Sequence, residues 1–165
     1  MGYFNMKKII IIGCPGSGKT TFANKLAKKT GIELFYLDSI WHKPDKTHIS
    51  REDFDKQLAK ILQKDEWIID GNYISTMELR LSLCDTVFFL DYPTEFCLGG
   101  VRARRGVARS DIPWIKTDKD TEFVEKFNVE QRPRVLSLLE RYSDKNIFIF
   151  KSREETDKFC QNIFN

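Results

Sequence analysis

The sequence predicts an α/β fold in which a five-stranded parallel sheet lies between two layers of helices, and three observations predict it. The stretch Gly13, Cys14, Pro15, Gly16, Ser17, Gly18, Lys19, Thr20 has the spacing glycine, any four residues, glycine, lysine, threonine, which builds a phosphate-binding loop between a strand and a helix. Five short apolar segments, at residues 7–12, 33–38, 66–70, 86–91 and 146–150, have the length of buried strands. Segments of helical character separate them, and strands that alternate with helices pair in parallel through right-handed crossovers.

Each element has a local reason. Four isoleucines, Ile9 to Ile12, make the first strand, and the helix that follows the loop is stopped by Gly31. The second strand, residues 33–38, ends in Asp38, and a polar, Pro-containing loop over residues 39–48 follows it. Ser50 and Asp53 have capping-box spacing for a helix to about Lys64, with Phe54, Leu58, Ile61 and Leu62 as its buried stripe. The third strand ends in Asp70 and is followed by a Gly71-Asn72-Tyr73 turn, and the fourth ends in Asp91. A helix is expected from about Thr94 to Arg105, weakened by Gly99 and Gly100 at about 1 kcal/mol each, which suggests a hinge. The aperiodic residues beyond it read as a flexible cover. Thr117 and Asp120 would cap the next helix, which Pro133 should break or restart, leaving Val135, Leu138, Leu139 and Tyr142 to face the core. The last strand leads to a helix capped by Ser152 and Glu155. The whole is the three-layer α/β/α P-loop NTPase fold.

With 165 residues and 41% hydrophobic content, one well-buried core is expected, hence a single domain over residues 1–165. No apolar run approaches the roughly 20 residues of a membrane span, the N-terminal residues lack a secretory or myristoylation pattern, and a cytoplasmic, monomeric protein is expected. Cys14, Cys84, Cys97 and Cys160 have no disulfide or zinc spacing and read as reduced thiols. Cys14, inside the loop at a helix N-terminus, is a candidate for a lowered pKa, against the reading that it only fills the loop. The formal charge is +3, but residues 102–116 hold Arg102, Arg104, Arg105, Arg109 and Lys116 against the single acid Asp111, so the remainder is about neutral. So local a patch suits a compact anion, and specific nucleic-acid binding is not expected.

The loop predicts ATP with Mg2+. Gly13, Cys14, Pro15, Gly16, Ser17, Gly18, Lys19, Thr20 and Thr21 would surround the phosphates, with backbone N–H groups aimed at them from a helix N-terminus. Lys19 would reach the outer phosphates and Thr20 would be a ligand of Mg2+. A GTPase would carry an Asn-Lys-x-Asp motif, which is absent. A small P-loop domain with an arginine-rich segment then points to transfer of a terminal phosphoryl group to a small acceptor, where catalysis is positioning and charge neutralisation. The alternative is an ATP-binding regulatory protein with slow hydrolysis, with or without a link to nucleic acid.

At this point the residues resemble a known family. The loop with the Thr21-Phe22-Ala23-Asn24-Lys25-Leu26-Ala27 that follows it, Leu37-Asp38, residues 67–73 (WIIDGNY), residues 88–93 (FFLDYP) with Cys97-Leu98, Arg109-Ser110-Asp111 and residues 132–139 (RPRVLSLL) are together similar to the topology modulation protein group of the adenylate-kinase-like P-loop kinases. The resemblance implies an acceptor site beside Asp38 and Asp70 and an arginine-bearing lid, over roughly residues 102–118, that closes on the phosphates. It also implies an arginine two residues after Cys97-Leu98. Gly100 stands there instead, and Arg102 is the substitute candidate for stacking on the nucleotide base.

Among the candidate site residues, Asp38 would accept a proton from the acceptor hydroxyl or hold a Mg2+ water. Asp70, on a strand beside the loop strand, is the better candidate for a water-mediated Mg2+ contact, with Asp91 a weaker competitor. Arg105 and Arg109 are the candidate in-chain arginine fingers, and Arg102 to Arg109, lacking acidic neighbours, should repel one another and keep the lid open until an anion binds. Arg80 would anchor an anionic acceptor or sit on a solvated helix face. Asn72 belongs to the acceptor side, and Tyr73 and Trp41 would stack on an aromatic acceptor or pack under a loop. His42 and His48 lack a third ligand for a metal.

Overall fold

The computed structural model describes residues 5–113 and 120–164, so the proposed Thr117 cap, Lys116 and the end of the lid lie outside the described residues. The strands are β1 (Lys8–Gly13), β2 (Leu34–Tyr36), β3 (Trp67–Asp70), β4 (Thr86–Leu90) and β5 (Asn146–Phe150). They form one sheet in the order β2-β3-β1-β4-β5, and every pairing is parallel. The central strands β1, β3 and β4 are buried along almost their whole length, which is why they read as unbroken apolar runs rather than alternating ones. The chain runs to one side of β1 for β2 and β3, then crosses to the other for β4 and β5. Ligands of such sheets bind at the carboxyl ends of the strands where this reversal occurs.

The helices are α1 (Lys19–Thr30), α2 (Leu37–Trp41), α3 (Arg51–Leu62), α4 (Ile74–Leu83), α5 (Thr94–Ala103), α6 (Asp120–Lys126), α7 (Arg132–Arg141) and α8 (Arg153–Phe164). Helix α1 buries Phe22, Ala23 and Leu26 and ends on Gly31, whose φ of 75° is the left-handed conformation that glycine adopts without strain. Helix α3 buries Phe54, Leu58, Ile61 and Leu62, and the Ser50 hydroxyl accepts from the Asp53 amide at 3.0 Å, the cap that its sequence predicts. The Glu155 amide donates to the Ser152 hydroxyl at 3.2 Å in the same way. Pro133 lies in the first turn of α7, where its missing N–H costs nothing, and a π-helical turn over Phe127–Gln131 joins α6 to α7. Val135 and Leu139 are buried, with Leu138 and Tyr142 half-buried beside them.

Two expectations fail. Strand β2 stops at Tyr36, and Asp38 lies in the first turn of the short helix α2 rather than at a strand end; the residues that follow are partly helical and then bridged, with His42 paired to His48. Nor is the helix before the lid broken at its glycines. Helix α5 runs through both, because Gly100 packs on the phosphate loop: a Cβ there would lie 2.1 Å from the Gly16 carbonyl oxygen, whereas a Cβ on Gly99 would meet nothing within 4 Å. Gly100 is therefore a point of backbone contact.

Candidate active site

The loop between β1 and α1 is held from three sides. The side-chain amide of Asn72 accepts from the Gly13 N–H at 3.1 Å and donates to the Gly13 carbonyl at 2.9 Å, tying the loop to the turn after β3. Gly16 and Gly18 have φ of 83° and 86°, and a Cβ on Gly16 would come within 2.1 Å of the Cys97 carbonyl of α5. The Ser17 amide closes the turn onto the Cys14 carbonyl at 3.0 Å. Cys14 is buried, and its hydrogen bond with Cys97 together with burial pushes its thiol pKa up, so the expectation of a lowered pKa is corrected.

At the helix start the Thr20 hydroxyl donates to Asp70 Oδ2 at 2.7 Å. Asp70 is buried at the end of β3, and its Oδ1 has no hydrogen-bond partner among the described residues. Burial raises the Asp70 pKa from 3.8 to about 6, against the opposing pull of the Lys19 cation and the Thr20 hydroxyl. An acidic oxygen without a partner, next to a hydroxyl and below a phosphate loop, fits a divalent cation reached through water. The sign of the pKa shift gives a prediction. Without metal the native state binds the extra proton between about pH 4 and pH 6, so stability is lost as pH rises through that window, by up to about 3 kcal/mol. Asp70→Asn removes the titration. In urea melts without Mg2+ the variant should match wild type at pH 4 and exceed it at pH 7.5; a variant less stable at pH 7.5 would refute the buried charge.

On the other side of Lys19 a second group of residues meets. Tyr73, a non-glycine residue at φ 36°, donates its hydroxyl to Asp38 Oδ1 at 2.6 Å, and burial followed by the Asp38 charge raises its pKa. Arg109 donates to Asp111 from Nε at 3.0 Å and from Nη2 at 2.7 Å, and Nη2 also reaches Asp38 Oδ2 at 3.2 Å. The expected repulsion among lid arginines is thus corrected at Arg109: Asp111, folded back beside it, is neutralising, and Ile112 is buried next in the chain. Asp38, Tyr73, Arg109 and Ile112 border a cavity of about 590 Å³, lined also by Lys19, Trp41, Arg104 and Phe127. A groove of about 290 Å³ runs along the loop, lined by Gly16 to Thr21, Phe96, Gly100, Arg104 and Arg153. Lys19 and Arg104 face both spaces.

Several residues do not lie where their sequence roles put them. Arg80 is fully buried and reaches neither a solvated face nor the cavity. Its guanidinium donates to the carbonyls of Gly71, Asn72 and Tyr73 and to the Thr76 hydroxyl, which fixes the turn carrying Asn72 and Tyr73. Burial lowers its pKa to about 10, so it is still a cation at neutral pH. Asn72 lines the cavity, but its amide is committed to Gly13. Arg105 and Arg102 are exposed and line neither space. Asp91 is held by Arg132 at 2.7 and 2.8 Å and by Lys151, whose bonds outweigh the effect of burial and lower its pKa, so it is a structural ion pair and no competitor for metal. Trp41 lines the cavity with its ring stacked on His48 at 4.3 Å and edge-on to Phe54 at 5.6 Å. Arg104 and Arg153 were missed. Arg104 was legible, since Cys97 and Val101 face inward and 104 falls on the same stripe. Arg153 comes from the far end of the chain, and no local pattern marks it.

Comparisons with known proteins bear on this geometry. No protein-family model matches the sequence. Two curated adenylate kinase sequences from Thermotoga neapolitana are 31% identical over 91 residues, 53% of this chain and 40% of theirs, so the chain spans about two-fifths of the length of these relatives. Among solved structures, shikimate kinase from Acinetobacter baumannii in complex with shikimate superposes with a TM-score of 0.62 at 16% identity, over 98% of this chain and 94% of that one. Shikimate kinase from Bacteroides thetaiotaomicron gives 0.58 at 17% identity, over 96% of both chains. A sugar kinase from Janibacter sp. HTCC2649 gives 0.53 at 17% identity, over 95% of this chain and 91% of that one. The fold is that of these P-loop kinases.

Proposed function

We propose that the chain is an ATP-dependent phosphotransferase, a P-loop kinase that passes the terminal phosphoryl group of ATP to a small-molecule acceptor. The observation that carries this reading is the position of Lys19 between two spaces, the loop groove of about 290 Å³ and the cavity of about 590 Å³. A protein that only hydrolyses ATP needs the first space and a water. A second space, opening on the same lysine, is what a transferase requires. The partial match to adenylate kinase sequences supports the same class, and the resemblance of the motifs to the topology modulation protein group favours that branch of it.

In this reading the chain acts as a single domain, with roughly residues 102–118 as its lid. The amides of Gly16 to Thr20 hold the phosphates and Lys19 neutralises charge on the group in transit. Thr20, and Asp70 through water, would hold Mg2+, which when bound neutralises phosphate charge. The acceptor lies in the larger cavity. Its oxygen bonds to the terminal phosphorus as the bond to the bridging oxygen of ADP breaks, and an acceptor hydroxyl gives its proton to Asp38. Arg109 is tied to Asp38 and positions that carboxylate, and Arg104, facing both spaces, takes the finger role expected of Arg105.

The test is ADP release from ATP and Mg2+ across a panel of nucleotides, nucleosides and small alcohols. Strong stimulation by one acceptor class is expected. Slow ADP release that no panel member changes favours the regulatory alternative.

A further inference from the structure

We propose that Cys14 and Cys97 are an oxidation site: hydrogen peroxide joins them in a reversible disulfide that ties the phosphate loop to α5 and takes the loop out of its phosphate-binding shape. The bond itself needs only the two thiols, and its consequence rests on the phosphotransferase reading. Cys14 is the second residue of the loop, and Cys97 stands in the first half of α5. Both are buried, and their side chains are hydrogen-bonded to each other. The backbone holds them there. A Cβ on Gly16 would lie 2.1 Å from the Cys97 carbonyl oxygen, and one on Gly100 would lie 2.1 Å from the Gly16 carbonyl oxygen, so loop and helix meet without a side chain between them. The other two cysteines lie apart: Cys84 Sγ faces the Leu81 carbonyl at 3.4 Å at the end of α4, and Cys160 is half-buried on α8.

The two sulfurs are unequal. The Cys14 thiol donates and the Cys97 sulfur accepts, which raises the pKa of the first and lowers that of the second; burial adds to the rise and opposes the fall, and the Lys19 cation favours the thiolate of either. Cys97 is therefore the attacking sulfur, with the thiol that resolves it already in hydrogen-bond reach. Pro15 and Gly16, next in the loop, line the cavity and the groove, and Phe96 and Gly100 on either side of Cys97 line the groove, so local opening of this stretch admits a small oxidant. The Cys97 thiolate attacks one oxygen of hydrogen peroxide, the O–O bond breaks, and hydroxide leaves to combine with the proton that Cys97 gave up. The Cys14 sulfur then attacks the sulfenic acid at Cys97, the S–O bond breaks, and the departing hydroxide takes the Cys14 proton. Two thiols have given two electrons to the peroxide, which ends as two waters. The Cys14 carbonyl accepts from the Ser17 amide at 3.0 Å, so drawing Cys14 onto α5 disturbs the turn whose amides face the phosphates.

The experiment exposes reduced protein to hydrogen peroxide and reads the products by tandem mass spectrometry without reductant, with calorimetric titration of ATP and Mg2+ before and after. A Cys14–Cys97 disulfide, a loss of about tenfold or more in ATP affinity, and return of the affinity with dithiothreitol are expected. Cys97→Ala should form no such bond and keep its ATP affinity through the same treatment, and Cys84→Ala should form it as wild type does. The dithiothreitol arm needs no substitution. Peroxide that oxidises Cys160 and leaves Cys14 and Cys97 as thiols, or that takes Cys97 to sulfinic acid with no disulfide, would overturn the site. A disulfide that leaves ATP affinity unchanged would overturn its consequence for the loop. Reduced wild-type protein that binds no ATP would overturn the phosphotransferase reading, while the mass spectrum still decides the disulfide.

Discussion

Lys19→Ala is expected to lower phosphoryl transfer by about a thousandfold and to leave thermal stability within about 0.5 kcal/mol of wild type. The two halves of this expectation have separate causes. Lys19 lies with Arg104 at the junction of groove and cavity, so in the proposed transfer its ammonium would meet the charge that develops when the phosphoryl group is between donor and acceptor. Its side chain is half-exposed and outside the apolar core, so little packing is lost with it. The variant should still bind ATP through the loop amides, more weakly, because these donors are backbone groups that the substitution leaves in place. Activity near that of wild type would remove Lys19 from the site.

Gly100→Ala should be damaging in a different way. The new methyl carbon would lie 2.1 Å from the Gly16 carbonyl oxygen and within 3.1 Å of two further Gly16 backbone atoms. Backbone on both sides leaves no flexible side chain to give way, so α5 and the phosphate loop must separate. A cost of about 1–3 kcal/mol or more in stability is expected, with weaker ATP binding because the loop loses the surface that shapes it. Gly99→Ala is the matched control. A Cβ at Gly99 meets nothing within 4 Å, and in a helix interior alanine is favoured over glycine by about 1 kcal/mol, so this variant should be as stable as wild type or more so. Denaturant melts of the pair decide the matter: equal stabilities would show that the contact between α5 and the loop is not tight.

The comparison of these two glycines also shows where sequence reasoning stops. Both occupy the middle of α5 and both weaken a helix by the same intrinsic propensity, so as sequence they suggest one hinge. Only the packing of α5 on Gly16 separates them, and that contact joins residues more than 80 positions apart. The parts of the fold that were legible are those with a local physical cause: the isoleucines of β1, the Ser50 and Ser152 caps, the buried stripe of α3 and the restart at Pro133. The loop and the Asp70 strand end were legible for the same reason, since their positions follow from spacing along one element.

The acceptor side was less legible because its side chains take their roles from contacts between elements. Asp38 lies two residues past the end of β2, and its meaning comes from Tyr73 and Arg109. Arg80 carries a charge and so reads as a surface or ligand residue, but the carbonyls of Gly71, Asn72 and Tyr73 accept from it and hold it fully inside. Arg104 and Arg105 are adjacent in the turn that ends α5, and the path of that turn brings Arg104 to both spaces and leaves Arg105 exposed.

The central claim is that phosphate leaves the groove for the cavity instead of for water. It is tested most directly by following the ATP, Mg2+ and acceptor mixture by phosphorus NMR as ADP accumulates. A new resonance from a phosphorylated acceptor, growing in step with ADP and absent with Lys19→Ala, is the expected result. Inorganic phosphate that accounts for all of the ADP, with every acceptor tried, would contradict it.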